Sequence, residues 1–486
     1  MKKILSNKKN VFFCISLIVI LGSLVRVYNI NYDDLWSDEM ASFWIADPTI
    51  SFDETLMRIF SSNWMVLYEI CLKYFHYLFG YEVYVSRYFS FLISILSLIS
   101  FGFLLSKITK IESVILGLFI LSINIYHIRY SIELRSYIFA FFLVTMFIYL
   151  AFREATSNHK INFPHLIFLN LISVFMLFCH PYTLLVVGSY VIFELLKFYK
   201  KKIISSYNIL LISSLMFTMI LFLFIFFQTT LKDTDPNMLK GISPDWLSQV
   251  KLKFYTNFYF SKFFGSRMLG LIHLSILFYC IIRFKKNLID DFNIFTFFVI
   301  LIFFSYFIPL VYGYIFSPIL LDRYIFFVLI PIICLLSHFI LMIKSKLLKY
   351  SFVVLICLTT FLNHLLYENT GRQFYTSINP TKPNTRNALE IINNSNTKLF
   401  TFNRDDRFVI NTNNIYENYI IKYLDELSYD LQYFNFNDVE KKPNNLWVIY
   451  YRDTTKIKFK IPEKFSGYNI TDKKYLNNLN LFLLTK

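Results

Sequence analysis

The residues best equipped for chemistry stand together in one short run, Asp33-Asp34-Leu35-Trp36-Ser37-Asp38-Glu39. Asp47, Asp53 and Glu54 follow in the same segment. A carboxylate held against a hydroxyl can take its proton as a general base, which makes Asp38 a candidate centre. Glu39 beside it would orient an acceptor, bind a metal or only cap a helix. The plain alternative covers both: two acids in a first helical turn behind a Ser37 cap, favoured by the helix dipole. Asp33 and Asp34 read as solvated loop charge. A second group lies at 126–137. Tyr126, Tyr130, Glu133 and Tyr137 follow helical spacing, which sets them on one stripe. That stripe would line a polar pocket or sit in the aromatic belt of a membrane surface. Arg135 falls off it and carries the planar fork that suits phosphate. Arg129 and Glu133, four apart, would make a plain surface ion pair.

What must position these residues is a set of membrane helices. The chain has 486 residues, 56% of them hydrophobic, with 57 Phe and only 11 Gly. Many apolar stretches reach the ~17–25 residues that cross a bilayer as helix. In lipid, a helix satisfies its own backbone groups. A barrel would instead show ~10-residue alternating segments, and the chain has none. The net charge of +16 would suit nucleic acid, but the apolar bulk excludes that partner in favour of the bilayer. The six cysteines mostly fall inside apolar runs, form no CxxC pair and read as buried bystanders.

The spans read as 11–29, 83–106, 111–128, 136–152, 163–180, 182–198, 203–228, 268–284, 292–316, 320–343 and 350–367. The apolar stretch 64–79 is broken by Glu69, Lys73 and His76 and reads as interfacial or re-entrant. With eleven spans and a cytoplasmic N-terminus, the inside loops are 107–110, 153–160, 198–202, 283–291 and 344–349. Each contains basic residues, as the positive-inside rule requires. A twelfth span at 64–79 would turn them all outward. The acidic loop 30–82, the segment 130–137, the turn at His180, the loop 229–267 and the step at Arg323 then share the external face. Arg26, late in the first span, would snorkel outward or pair with the acidic loop. Residues 1–367 form the membrane domain. Residues 368–486, rich in Asn, Lys, Asp and Tyr, read as a small extracytoplasmic α/β domain. Its helices are expected at 385–394 and 414–429, its strands at 398–403, 446–451 and 479–484.

Several short motifs, in order and on one face, carry a family resemblance. Leu35-Trp36-Ser37-Asp38-Glu39 after the first span resembles the Trp-x-Asp-Glu signature of the polyprenol-phosphate-sugar-dependent membrane glycosyltransferases. That group has the GT-C fold and includes glycosyltransferase family 39, the protein O-mannosyltransferases and the aminoarabinose transferases. The stretch 67–80 resembles the family's short helix ending in Leu-Phe-Gly, and Arg87 the Arg after it. Tyr130-Ser131-Ile132-Glu133-Leu134-Arg135-Ser136-Tyr137 resembles the Tyr-Ser-x-Glu-x-Arg-x-Tyr element. His180 stands where the family often has a His, and Arg323-Tyr324 before Pro331 resembles the late Arg-Tyr element. The chain departs from the family at Asn63-Trp64-Met65, where His-Pro-Pro is common.

The resemblance implies an enzyme that moves a monosaccharide from a polyprenyl-phosphate donor to an extracytoplasmic glycan, lipid or protein. Asp38 would be the base, with Glu39 beside it. Arg135, Arg323, Glu133, Tyr130, Tyr137, Arg87 and His180 would bind substrate. Such a donor already has a good leaving group. What it needs is an activated hydroxyl and neutralisation of the departing phosphate. Asp38, Glu39 and His180 also have the ligand types for a divalent cation, but no close-spaced motif supports one, so no cofactor is expected to be required. Two other classes compete. A transporter or flippase would need internal repeats and midplane charge. An assembly subunit of surface polysaccharide export would leave Asp38 dispensable.

Overall fold

Helices occupy all eleven apolar ranges in the computed structural model. It describes residues 8–28, 30–62, 65–152, 163–201, 206–232, 263–264, 267–290, 292–315, 319–366, 382–403, 412–435, 442–451, 465–476 and 479–486. The expected inside loop 153–160, most of the outside loop 229–267, and Asn63 and Trp64 lie outside the described residues. The first apolar helix, α1 (Lys8–Val27), is followed by three short helices, α2 (Ser37–Ile45), α3 (Phe52–Ser62) and α4 (Val66–Phe79). Then come α5 (Val83–Ile108), α6 (Ile111–Ser122), α7 (Ile125–Ser131), α8 (Tyr137–Ala151), α9 (Phe163–Cys179), α10 (Leu184–Lys201) and α11 (Ser206–Lys232). The series closes with α12 (Arg267–Arg283), a short α13 (Lys285–Asp290), α14 (Ile294–Ile315), α15 (Leu329–Met342) and α16 (Lys346–Leu366). Among the described helices, six are long and apolar enough to cross a membrane, and the pair α6–α7 makes a seventh. Shorter apolar helices form α8, α9 and most of α12. Phe12, Phe13, Phe217, Phe224, Phe278 and Phe361 are each more than half exposed on the outside of this bundle. Large apolar rings turned outward on so many helices belong in lipid. The chain is a multi-pass membrane protein.

The range 111–128, expected as one helix, is bent by 59° between α6 and α7. Asn124 makes the break: its side chain accepts from the backbone N–H of His127 and so starts α7 afresh. That leaves the Ser122 carbonyl at the end of α6 without a backbone partner among the described residues. Arg26 reaches it together with the Leu121 carbonyl, which also accepts from the Asn124 N–H at 3.2 Å. Arg26 Nη1 donates to the Ser122 carbonyl at 2.7 Å and its Nη2 to the Leu121 carbonyl at 3.3 Å. Nη2 also donates to His127 Nδ1 at 2.7 Å, and the other ring nitrogen of His127 lies 3.0 Å from Ser97 Oγ. Arg26 is fully buried, so it neither snorkels nor meets the acidic loop. A cation at a helix C-terminus is favourable in itself. Gly22 makes the approach feasible. A Cβ there would stand 3.0 Å from Ser122 Cβ and 3.3 Å from Arg26 Nη1.

The three polar residues that interrupt 64–79 lie on one buried face of α4, at i, i+4 and i+7. Lys73 Nζ donates to the carbonyls of Asp47 and Ile50 and to Thr55 Oγ1 at 2.7–2.9 Å. His76 bridges the Ala46 carbonyl and Ser86 Oγ, both at 2.9 Å. The opposite face, Tyr74, Tyr77 and Leu78, is apolar and exposed. The helix is therefore amphipathic in the inverted sense, polar toward the protein and greasy outside, as suits a membrane-edge element.

Beyond α16 the chain forms the expected small α/β unit. It contains α17 (Thr385–Asn393), β1 (Leu399–Asn403), α18 (Thr412–Leu427), β2 (Gln432–Tyr433), β3 (Asn445–Tyr450), β4 (Asn469–Leu476) and β5 (Leu479–Thr485). The sheet order is β2-β1-β3-β5-β4, parallel on the β1 side and antiparallel around β5. Leu446, Val448 and Tyr450 of β3 point to one apolar cluster and Trp447 and Ile449 to the other, so β3 is buried on both faces. Two strands lie outside the expected ranges: β2, which is two residues long, and β4, a polar edge strand, neither of which has an apolar run to mark it. The second cluster joins the C-terminal helices to the membrane helices without a break.

Candidate active site

The site is built on the start of α2. Trp36 has an extended backbone, φ −99° and ψ 170°, and stands at the N-cap; Ser37 is already helical and does not cap. The reciprocal bond comes from Glu39, whose Oε2 accepts from the Trp36 N–H at 3.2 Å. Its Oε1 accepts from the Leu134 N–H at 2.8 Å, and Oε2 also meets Lys382 Nζ at 2.6 Å and Arg87 Nη2 at 3.6 Å. Burial pushes this carboxyl up, but Lys382 and Arg87 outweigh burial and hold it below its ordinary value. Glu39 is wholly enclosed, and its oxygens are spent on capping and cross-linking the site.

Asp38, one residue earlier on the helical turn, faces outward. Its side chain is 33% exposed, and Oδ2 lies 3.9 Å from Arg323 Nη2. The Arg323 guanidinium also sits over the rings of Trp36 and Tyr324, at 5.4 and 5.5 Å. It is carried by the 3₁₀ turn Asp322–Val328 ahead of α15, where Asp322 accepts from the Tyr126 hydroxyl at 2.7 Å. Arg135, in the turn between α7 and α8, donates through Nη1 to the Asp38 carbonyl at 3.1 Å and to Ser42 Oγ at 3.2 Å. Two guanidinium groups thus flank one accessible carboxylate.

Aromatic rings wall this cluster. The His180 ring lies 5.5–5.7 Å from Tyr137, Tyr182 and Tyr324. Tyr130 stands edge-on to both Tyr126 and Tyr137, at 4.8 and 5.2 Å. The rings do meet as expected, but not along one helix. α7 ends at Ser131 and α8 begins at Tyr137, so Glu133 and Arg135 sit in a turn. That turn delivers the Leu134 N–H to Glu39 and Arg135 to Asp38.

Of the residues expected to touch substrate, the structure groups Asp38, Arg135, Arg323, Tyr130, Tyr137 and His180. Glu133 is buried nearby, and its Oε2 makes no hydrogen bond among the described residues. Arg87 stands behind the opening. It is 2% exposed and holds the first loop by donating to the carbonyls of Ile30, Asp33 and Asp34. Asp34, expected in solvent, is buried and tied to the C-terminal unit. Asp38, Glu39 and His180 do not assemble as ligands; among the described residues no three His, Cys, Asp or Glu do.

Glu69 was legible only as an interruption of an apolar helix, yet it lies directly behind the site. It is fully buried and accepts from Ser42 Oγ at 2.8 Å, the hydroxyl that Arg135 also reaches. Burial pushes the carboxyl up to about 7 from an ordinary 4.5, against the pull of Arg135. A raised carboxyl binds more protons folded than unfolded within that window. Stability should therefore be greatest below pH 4.5 as far as this group is concerned, and fall as pH rises through about 7. Glu69→Gln should flatten that fall. Thermal unfolding of both proteins in detergent, across pH 5 to 8, checks it; identical pH slopes would reject the assignment.

The bundle, the acidic loop helix at its edge and the C-terminal sheet together have the GT-C fold. The chain is similar to the crystal structure of ArnT from Cupriavidus metallidurans bound to undecaprenyl phosphate. The TM-score is 0.54 at 9% identity, over 96% of this chain and 97% of that one. It is also similar to the oligosaccharyltransferase AglB from Archaeoglobus fulgidus in complex with an inhibitory peptide and a dolichol-phosphate. There the TM-score is 0.51 at 9% identity, over 89% of this chain and 61% of that one. No family model and no curated protein matches the chain.

Proposed function

We propose that the protein transfers a monosaccharide from a polyprenyl-phosphate donor to an extracytoplasmic acceptor, with Asp38 as general base. The observation that carries this reading is the accessible Asp38 carboxylate with Arg323 3.9 Å away and Arg135 anchored to its own carbonyl. The base takes the proton of the attacking acceptor hydroxyl, and the oxygen forms the new bond to the anomeric carbon. The sugar–phosphate bond breaks on the opposite face, and Arg323 and Arg135 stabilise the departing phosphate. A single displacement inverts configuration. The Tyr137 hydroxyl and Trp36 Nε1 are buried beside the cluster and make no hydrogen bond among the described residues. The fold adds support, since the ArnT and AglB structures were solved with undecaprenyl phosphate and dolichol-phosphate bound. The test is transfer from a labelled polyprenyl-phosphate sugar by purified membranes. Transfer from a soluble nucleotide sugar without a lipid intermediate would reject the donor.

The same reading orients the chain, with the N-terminus cytoplasmic and residues 368–486 outside. Basic residues in all five expected inside loops support it. Asn394 and Lys344 are both exposed and lie on opposite sides in this topology. An impermeant thiol reagent on intact cells should label Asn394→Cys and spare Lys344→Cys until lysis. The reverse pattern would move the site to the cytoplasm.

A further inference from the structure

The C-terminal domain grips the first loop through polar contacts that the proposed reaction does not use. Asp34 is 5% exposed and accepts from the Tyr423 hydroxyl at 2.5 Å and the Arg386 backbone N–H at 2.7 Å. The Arg386 guanidinium donates to Tyr423 Oη at 2.9 Å and to the Asn31 carbonyl at 3.0 Å. Tyr81 donates to Asn418 Oδ1 at 2.8 Å, and Glu426 accepts from the backbone of Val83 and Tyr84. Helix α18 packs directly on α2, the helix that carries Asp38.

One residue of this domain goes further in. Lys382 Nζ reaches Glu39 Oε2 at 2.6 Å, nearer than Arg87 at 3.6 Å. A buried carboxylate needs a close counter-charge, and Lys382 is the closer of the two. Glu39 in turn holds three parts of the site. Its own backbone follows Asp38. Its Oε2 fixes Trp36, over which the Arg323 guanidinium lies. Its Oε1 fixes Leu134, the neighbour of Arg135. Each charged group of the opening is one residue or one ring removed from a group that Glu39 holds.

We propose that Lys382 is a positioning residue of this site, contributed by the C-terminal domain, and that docking of that domain sets the first loop to receive a phosphate-bearing lipid. The lipid part rests on the function proposed above; the docking part does not. The experiment uses the full chain in lipid nanodiscs, with Lys382→Met and Lys382→Arg. Amide hydrogen exchange at Trp36 and Leu134 reads the hold on Glu39 without any reaction. Titration with undecaprenyl phosphate reads the site. Lys382→Met should speed exchange at both amides and weaken undecaprenyl phosphate binding about tenfold, with Lys382→Arg restoring both to within about threefold. Tyr423→Phe, a milder variant that removes one bond to Asp34, should shift both in the same direction. Unchanged exchange at Leu134 in Lys382→Met would overturn the positioning role. Faster exchange with unchanged lipid affinity would overturn the link to the lipid site. If the unmutated protein bound no undecaprenyl phosphate, the function proposed above would fail, and exchange alone would decide the role of Lys382.

Discussion

Asp38→Asn should lower sugar transfer by about 10²–10⁴-fold, the usual effect of losing a general base. Asn keeps the size of the side chain and an acceptor oxygen toward Arg323, but it cannot take a proton near neutral pH. Donor affinity should stay within a few-fold, because the guanidinium groups and the rings around them are unchanged. Asp53 is the control. It is an exposed acid in the first turn of a neighbouring helix, so Asp53→Asn changes the same charge without touching the cluster. Turnover and donor affinity for both variants, in the same membranes, separate the cases. Near-normal turnover in Asp38→Asn, or an equal loss in Asp53→Asn, would remove Asp38 from the role of base.

Arg323→Ala should cost about 10²–10³-fold in turnover, as when one preorganised donor to developing negative charge is removed. Unlike Asp38→Asn, it should also weaken donor binding, because the ground-state phosphate already carries charge. Arg323→Lys should recover part of the affinity and little of the rate, since an ammonium lacks the planar fork. Arg135→Ala should show the same split with an added loss of stability, because Arg135 also ties the Asp38 carbonyl and Ser42. Turnover and donor affinity across the three variants check this. Loss of turnover with intact donor affinity in Arg323→Ala would move the phosphate elsewhere.

Helix positions were readable because hydropathy is a property of consecutive residues. The same is true of the C-terminal elements, whose apolar runs Leu446–Trp447–Val448–Ile449 and Leu481–Phe482–Leu483–Leu484 are the buried strands. Residues whose meaning depends on distant partners were not readable. Asp34 looked solvated because its partners, Arg386 and Tyr423, are more than 350 residues away along the chain. The resemblance sets Glu39 beside the base and Arg87 with the substrate. Capping by Glu39 is legible locally, but its ties to Lys382 and Leu134, and the hold of Arg87 on the first-loop carbonyls, depend on residues far along the chain. The break between α6 and α7 did leave a signal. Asn124 is a helix-starting residue set inside an apolar run, a place to cut the span 111–128 in two. Glu69 left a weaker one, since its spacing from Lys73 and His76 already marks a polar helix face.

Apart from the Gly22 carbonyl of its own helix, the partners of Arg26 are synthesised long after it: the Ser122 carbonyl lies 96 residues later and His127 lies 101 later. A newly made first helix therefore enters the bilayer with a cation whose one acceptor is a carbonyl of its own helix. Placed in mid-membrane, such a charge costs ~2.5–3.5 kcal/mol on insertion scales. Near the helix end it escapes most of that by lying among the headgroups. Only when α6 has been threaded, and broken at Asn124, do the Ser122 carbonyl and the His127 ring arrive to draw the guanidinium in. Membrane insertion and tertiary packing are thus not separate stages for this helix. Its final depth is settled by a segment that leaves the ribosome about a hundred residues behind it.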